Sequence, residues 1–221
     1  MCGRFSLHTL PETIAQHFQV PEVPFIERHY NIAPTQDIPV VRAAGEGREM
    51  VPLRWGLVPF WSREPKTGYS MINARAETVA AKPAYRAAFR RRRCLIPADG
   101  FYEWRAGEDR KQPYHIRMKH GDVFAFAGVW EHWEGNGRTV ESCTIIVTAA
   151  NELIRPIHDR MPVILDPANY GQWLDPDMQK PESLMPLLRP FPAGHMIAYP
   201  VSRRVNSPRN DDQGCIEPAD D

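Results

Sequence analysis

Cysteine at position 2 opens the chemistry of this chain, which begins Met1-Cys2-Gly3-Arg4-Phe5. An initiator methionine followed by so small a side chain is expected to be removed. Cys2 would then carry a free α-amine and a thiol on adjacent carbons. Reference pKa values of about 7.7–8.0 for the amine and about 8.5 for the thiol leave both partly deprotonated near neutral pH. Such a 1,2-aminothiol can capture an aldehyde: the amine forms a Schiff base and the thiol closes a thiazolidine ring. The same pair can serve instead as an N-terminal nucleophile for acyl transfer, with the amine as its base. Standing alone, Cys2 would be a small residue at a strand start, so its company elsewhere decides.

Three internal segments supply that company: Ile72-Asn73-Ala74-Arg75-Ala76-Glu77-Thr78, Asp99-Gly100-Phe101-Tyr102-Glu103-Trp104 and Ile157-His158-Asp159-Arg160-Met161-Pro162. Each holds one group for polar chemistry, with an arginine two residues later: Asn73/Arg75, Glu103/Arg105 and His158/Arg160. Cys2/Arg4 repeats the spacing. Residues i and i+2 share a face in an extended segment. Each reactive group would then lie beside a guanidinium, as suits a reaction on something that carries phosphates. Ordinary readings exist for each. Asn73 suits a turn or cap, His158 is one of eight histidines, and Arg105 borders a charged turn, Gly107-Glu108-Asp109-Arg110-Lys111. Glu103 sits among aromatics and could pair with an arginine; buried there, its pKa would rise and suit it to proton transfer.

Bringing four distant segments together needs a scaffold. The 221 residues are enough for one domain with a real core, and 43% hydrophobic with 24% charged residues is an ordinary globular balance. No window approaches eighteen uncharged apolar residues, so no membrane span is expected. The N-terminus shows neither the basic nor the apolar region of a secretory signal. Cysteines 2, 94, 143 and 215 have no CxxC spacing and suggest neither a zinc site nor a disulfide framework. Net charge is zero, so nucleic-acid affinity would need a local patch. Of 27 cationic residues 22 are Arg, which binds phosphate as a fork, although a GC-rich genome inflates Arg as well.

The 22 prolines limit long helices. Strands are expected at Gly3–Leu7, at Ile38–Arg42 and Glu49–Arg54 (a hairpin around Gly45-Glu46), at Cys94–Ala98, Gly100–Arg105, Tyr114–Met118, Val123–Trp130, Ser142–Thr148, Pro162–Leu165 and His195–Pro200. Helices are expected at Pro11–Phe18, Pro83–Arg92, Pro167–Leu174 and Pro181–Leu188, with a short helical start at Asn151–Ile154. The class is α+β: one sheet-rich domain over 1–210, mixed or antiparallel, with short peripheral helices. A polar tail over 211–221 is expected to be loosely ordered. Trp104, Trp130 and Trp133 are assigned to packing or hairpins, and the Arg90–Arg93 run to a solvated helix end that offsets the dipole.

Six ordered segments carry a resemblance: Cys2-Gly3-Arg4-Phe5, Tyr30-Asn31-Ile32-Ala33-Pro34, Trp55-Gly56-Leu57-Val58-Pro59, Ile72 to Thr78, Asp99 to Trp104, and His158-Asp159-Arg160-Met161-Pro162. From residue 2 to about 210 the chain resembles the SOS-response-associated peptidase (SRAP) family. The resemblance implies a barrel-like fold and covalent capture of abasic sites in single-stranded DNA. Cys2 would form a Schiff base at C1′ of the ring-opened sugar and close it to a thiazolidine. Asn73 would position amine and sugar, Glu103 would shuttle protons, and His158 would act as acid or base near the 3′ phosphate. A persisting imine would permit β-elimination, hence lyase activity, and the ring closure could reverse. Implied DNA contacts are Arg4, Pro34, Arg75 and Arg160, with Phe60 and Trp61 as an aromatic wedge against splayed bases. No cofactor or metal is implied. A cytoplasmic monomer that joins the nucleoid on damage is expected, with replication-fork proteins as further partners.

Two other readings stay open. Cys2 with His158 and Asn73 could form a cysteine peptidase or amidase of the N-terminal-nucleophile kind, removing Met1 itself. A non-enzymatic DNA-binding module would make Cys2 incidental.

Overall fold

Strands whose inward positions are Val, Ile, Leu and Phe must bury that face, and here five of them do so by closing on one another. A computed structural model describes residues 2–23, 27–65, 71–108 and 110–219. Met1, Asp109 and the last two residues of the tail lie outside them. In chain order the elements are β1 (Phe5–Leu7), α1 (Pro11–Phe18), β2 (His29–Ile32), β3 (Asp37–Ala44), β4 (Gly47–Trp55), β5 (Asn73–Arg75), α2 (Ala76–Val79), α3 (Arg86–Arg91), β6 (Arg93–Ala98), β7 (Gly100–Arg105), β8 (Gln112–Met118), β9 (Phe124–Gly135), β10 (Arg138–Ala149), β11 (Arg160–Pro162), β12 (Ile164–Leu165), α4 (Tyr170–Leu174), α5 (Pro181–Leu184) and β13 (Met196–Pro200).

Pairings β3–β4, β4–β10, β10–β9, β9–β6 and β6–β3 form a closed ring, a five-stranded barrel. Closure leaves those strands without a bare edge. The β4–β10 seam is parallel and short, Ser142↔Arg54 and Cys143↔Trp55, and β5 takes over the same edge of β10 from Ile145 onward. A second sheet runs β13-β8-β7-β1-β2. Phe5 of β1 joins sheet and barrel: its ring meets Trp55 at 5.3 Å and Phe126 at 5.8 Å, both edge-on, the favoured aromatic geometry. The helices are short, and none among the described residues is long and apolar enough to cross a membrane.

The expected α+β class, sheet dominance and barrel are all present. Helix α1 and strand β7 have the expected bounds; β9 and β10 are longer and pair with each other over eight positions. Other expectations change. Asn151–Ile154 forms turns, with Asn151 Oδ1 accepting from Ile154 N–H. The expected Pro162–Leu165 strand is split at Val163 into β11 and β12, which pair with different strands.

The polar end, expected to be loose, is pinned. Asp211 accepts from the N–H groups of Tyr30 and Asn31, and the Asn31 amide donates to the carbonyls of Val205, Ser207 and Asn210. Cys215 lies fully buried beside Tyr102, Val201 and Val205. The residues are polar because their bonds run to the protein, not to water. Within the arginine run, Arg93 is buried and donates to the carbonyls of Phe89, Arg90, Trp173 and Asp175. Arg92 pairs with Glu131, so only Arg90 and Arg91 stand in solvent.

Candidate active site

Cys2 reaches the site through strand pairing. Phe5 is opposite Phe101 and Ser6 opposite Gly100, and the carbonyl of Arg4 accepts from Tyr102 N–H at 3.0 Å. Extending this antiparallel register brings the start of the chain alongside Glu103. Gly100 is required for it: a Cβ there would stand 2.3 Å from His115 Nε2. Cys2 is fully buried, and its thiol donates to the Arg4 carbonyl at 3.9 Å. Burial, and then the charge of Glu103, push the thiol well above its usual range, so it is a neutral S–H at pH 7. That revises the reading from reference values, which left it partly ionised.

Glu103 is buried beside Cys2. Burial pushes its carboxyl up to about 7, the positive amino terminus and Lys111 opposing and Asp159 adding to the rise. A carboxyl held there carries or releases a proton with equal ease at neutral pH.

Asn73 comes from a different layer. β5 runs parallel to β10, with Asn73 opposite Ile145. The carbonyl just before it, on Ile72, accepts from both Ile145 N–H and Trp55 Nε1–H, each at 3.0 Å. Since the Trp55 ring also packs on Phe5, one indole ties the strand of Asn73 to that of Cys2. Both Oδ1 and Nδ2 of Asn73 are buried without a hydrogen-bond partner among the described residues. An amide left in that state costs about 1–3 kcal/mol, and a native structure that tolerates it has a reason.

His158 follows the turns after β10, its N–H bonded to the Ile154 carbonyl. Its Nδ1 accepts from Arg160 N–H at 3.0 Å, which places the ring hydrogen on Nε2. Asp159 Oδ1 lies 2.9 Å from the same nitrogen but is itself 84% exposed. Because Nδ1 is already an acceptor, we assign Asp159 an electrostatic influence and no hydrogen bond. Burial lowers the His158 pKa first and the amino terminus second, Asp159 opposing, so the ring is neutral. Cys2, Glu103 and His158 thus all respond to the charge of the amino terminus that Met1 carries before its removal. The His158–Arg160 pair is a turn closed by its own hydrogen bond, not the extended segment expected.

The arginines divide. Arg75 is exposed at the end of β5. Arg160 pairs with Glu77, across from it on α2. Arg4 is a clamp: it donates to Asn31 Oδ1 at 2.9 Å and to the carbonyls of Val205 and Asn206. Arg105 lies over the Tyr114 ring. Pro34 is buried in a turn held to Trp55 by Thr35 N–H, and offers little surface to a strand.

Phe60 and Trp61 are 54% and 57% exposed, yet their turn is anchored by hydrogen bonds. Ser142 Oγ accepts from Val58 N–H at 2.8 Å, Trp133 Nε1 donates to the Ser62 carbonyl at 2.7 Å, and Ser62 N–H returns to Pro59. Sequence reasoning gave no role to Glu77, which occupies Arg160, to Lys111, whose charge reaches both Glu103 and His158, or to Trp55 as the tie. Periodicity carries no trace of such cross-layer pairs.

The chain is similar to known proteins over nearly its whole length. The family model described as SOS response associated peptidase (SRAP) matches residues 1–208. The chain is 45% identical over 222 residues to "Abasic site processing protein YoqW" of Bacillus subtilis (strain 168), covering 98% of this chain and 99% of that one. It is 32% identical to "Abasic site processing protein HMCES" of Xenopus tropicalis, covering 85% of this chain and 65% of the relative. A crystal structure of a protein from Bacteroides thetaiotaomicron superposes with a TM-score of 0.89 at 27% identity, covering 99% and 100% of the two chains.

Proposed function

The chain belongs to the SOS response associated peptidase (SRAP) family, and we propose from that premise that it senses abasic sites in single-stranded DNA and shields them by a covalent bond through Cys2. The relatives named as abasic site processing proteins support DNA carrying such sites as the partner and DNA damage repair as the setting. The observation that carries the mechanism is the buried Glu103 carboxyl, raised by burial to about 7, beside the Cys2 thiol.

Once Met1 is gone, the Cys2 amine attacks the C1′ aldehyde carbon of the opened sugar to give a carbinolamine. Glu103, as the acid, donates a proton to the departing hydroxyl, which leaves as water while the nitrogen lone pair forms the imine. Glu103, now carboxylate, takes the thiol proton as sulfur adds to the imine carbon and the C=N electrons return to nitrogen. The product is a thiazolidine, formed with loss of one water and no redox change. A neutral thiol suits this order, because the amine acts first and sulfur needs its proton removed only at ring closure. The Asn73 amide orients the amine and the sugar. His158 serves the sugar hydroxyl and the 3′ side through its Nε2–H; if the Glu103 carboxylate takes the C2′ proton of the imine instead of the thiol proton, the C–H electrons form the C2′–C3′ double bond and the 3′ phosphate departs by β-elimination. Arg75 and Arg160 take flanking phosphates, Arg160 exchanging Glu77 for the DNA. Phe60 and Trp61 hold the neighbouring bases apart.

A general cysteine peptidase is disfavoured, since that chemistry uses a thiol whose pKa is depressed, whereas burial drives Cys2 the other way. The test is a denaturing gel after incubation with single-stranded DNA bearing one abasic site. A covalent band that vanishes in Cys2→Ala, and in a variant with one extra residue ahead of Cys2, is the expected result. No band from protein with a mature Cys2 terminus overturns the proposal.

A further inference from the structure

Trp104, assigned from sequence to packing, follows Glu103 on β7 and is only half buried. Its Nε1 donates to Asn206 Oδ1 at 2.8 Å, which fixes the indole plane. Around it opens a cleft of about 520 Å³ lined by Trp104, Arg110, Lys111, Arg203 and Asn206. Among the described residues the cleft is lined by three cations and no carboxylate, and all three cations are exposed. Its far wall, residues 203–206, is tied to the strand of Cys2 by Arg4, which bonds the carbonyls of Val205 and Asn206. The cleft is therefore coupled to the reactive strand by one guanidinium, and it is separate from the Phe60–Trp61 turn, which hangs from the barrel.

A fixed aromatic face beside cations is the surface that single-stranded nucleic acid uses: a base stacks and its phosphates are neutralised. We propose that this cleft is an outer nucleotide subsite, where Trp104 stacks a base flanking the abasic sugar and Arg110, Lys111 and Arg203 take the adjoining phosphates. Glu103 and Trp104 alternate to opposite faces of β7, so a strand leaving the reactive centre would pass round the end of β7 to reach Trp104. The inference rests on the abasic-site reading and extends it to the length of flanking strand the protein grips.

Oligonucleotides with one tetrahydrofuran abasic analogue test it, because that analogue has no aldehyde and reports binding alone. The flank is lengthened one nucleotide at a time, on the 5′ side in one series and the 3′ side in the other, and Kd is read by fluorescence anisotropy. In one series the wild-type Kd should fall about 5- to 150-fold as the subsite fills, the range for one stacked base. Arg110→Glu/Arg203→Glu should lose that gain. The dependence of log Kd on log salt should flatten in the variant by about 1.4, from about 0.7 per phosphate contact. Trp104→Phe should keep most of the gain and Trp104→Leu, which preserves bulk without a π face, should lose it. Equal gains in wild type and charge-reversal variant, or no gain in either series, overturn the subsite. In parallel, wild type is incubated with aldehyde-bearing DNA: a covalent band there leaves the abasic-site reading standing when the subsite fails, and its absence removes both.

Discussion

At the residue scale, two side chains, Glu103 and Asn73, are poorly placed for stability. Glu103 has a folded pKa of about 7 against an ordinary value of 4.5. The folded state therefore binds the proton more tightly, and its stability falls as pH rises from about 4.5 through about 7. Glu103→Gln removes that penalty, on the order of 3 kcal/mol for a shift of this size. Melting above pH 8 should show the variant more stable than wild type, the difference vanishing below pH 4. Crosslinking should slow about 10²- to 10⁴-fold in the same variant, the usual contribution of a positioned acid–base group, with its pH dependence near 7 lost. Asn73→Ala separates function from structure in the same way. Because both amide atoms are buried without partners, their removal should leave the melting temperature unchanged or higher. The crosslinking rate should nevertheless fall. A large loss of stability would show that Asn73 serves the fold.

At the element scale, exposed and buried aromatics part company. Phe60 and Trp61 are more than half exposed on an anchored turn, so Phe60→Ala/Trp61→Ala should change unfolding free energy by no more than about 0.5 kcal/mol per site. Affinity for single-stranded DNA should weaken about 5- to 150-fold per lost stack, read by anisotropy. Gly100→Ala behaves oppositely. Its Cβ would meet the His115 ring at 2.3 Å and the Ile116 carbonyl at 3.0 Å, so denaturant unfolding should show a loss of about 1–3 kcal/mol. Strands such as β7 and β9 were legible because apolar residues alternate or run together along them. The strand β5 was not: Asn73-Ala74-Arg75 has no apolar rhythm, and it is a strand only because β10 offers a parallel edge. The i, i+2 arginine pattern did not reveal where each guanidinium goes. Arg75 stands in solvent, Arg160 pairs with Glu77, Arg4 turns to the chain's own carbonyls and Arg105 lies over a tyrosine ring, choices that depend on partners far away in sequence.

At the scale of the whole molecule, the polar C-terminal segment is bonded to β2 and to Arg4, two residues after Cys2. Composition alone suggested a loose tail, because polar residues bonded to distant backbone look the same in sequence as polar residues bonded to water. Here Asp211 closes on β2, and Arg4 and Asn31 grip residues 205–210. Asp211→Ala leaves two backbone N–H groups without their acceptor and should lower stability by about 1–3 kcal/mol in denaturant titration. With zero net charge overall, the attraction for DNA must come from local cations, so binding should weaken steeply with salt although the protein as a whole is neutral.

The most direct test of the central claim is the intact mass of the covalent product. Protein and single-stranded abasic DNA are mixed and the adduct is weighed without reduction. The account predicts the mass of the chain lacking Met1 plus the DNA less one water, surviving heat and denaturant as a closed thiazolidine should. An adduct that retains Met1, or one that forms equally well in Cys2→Ala, would contradict it.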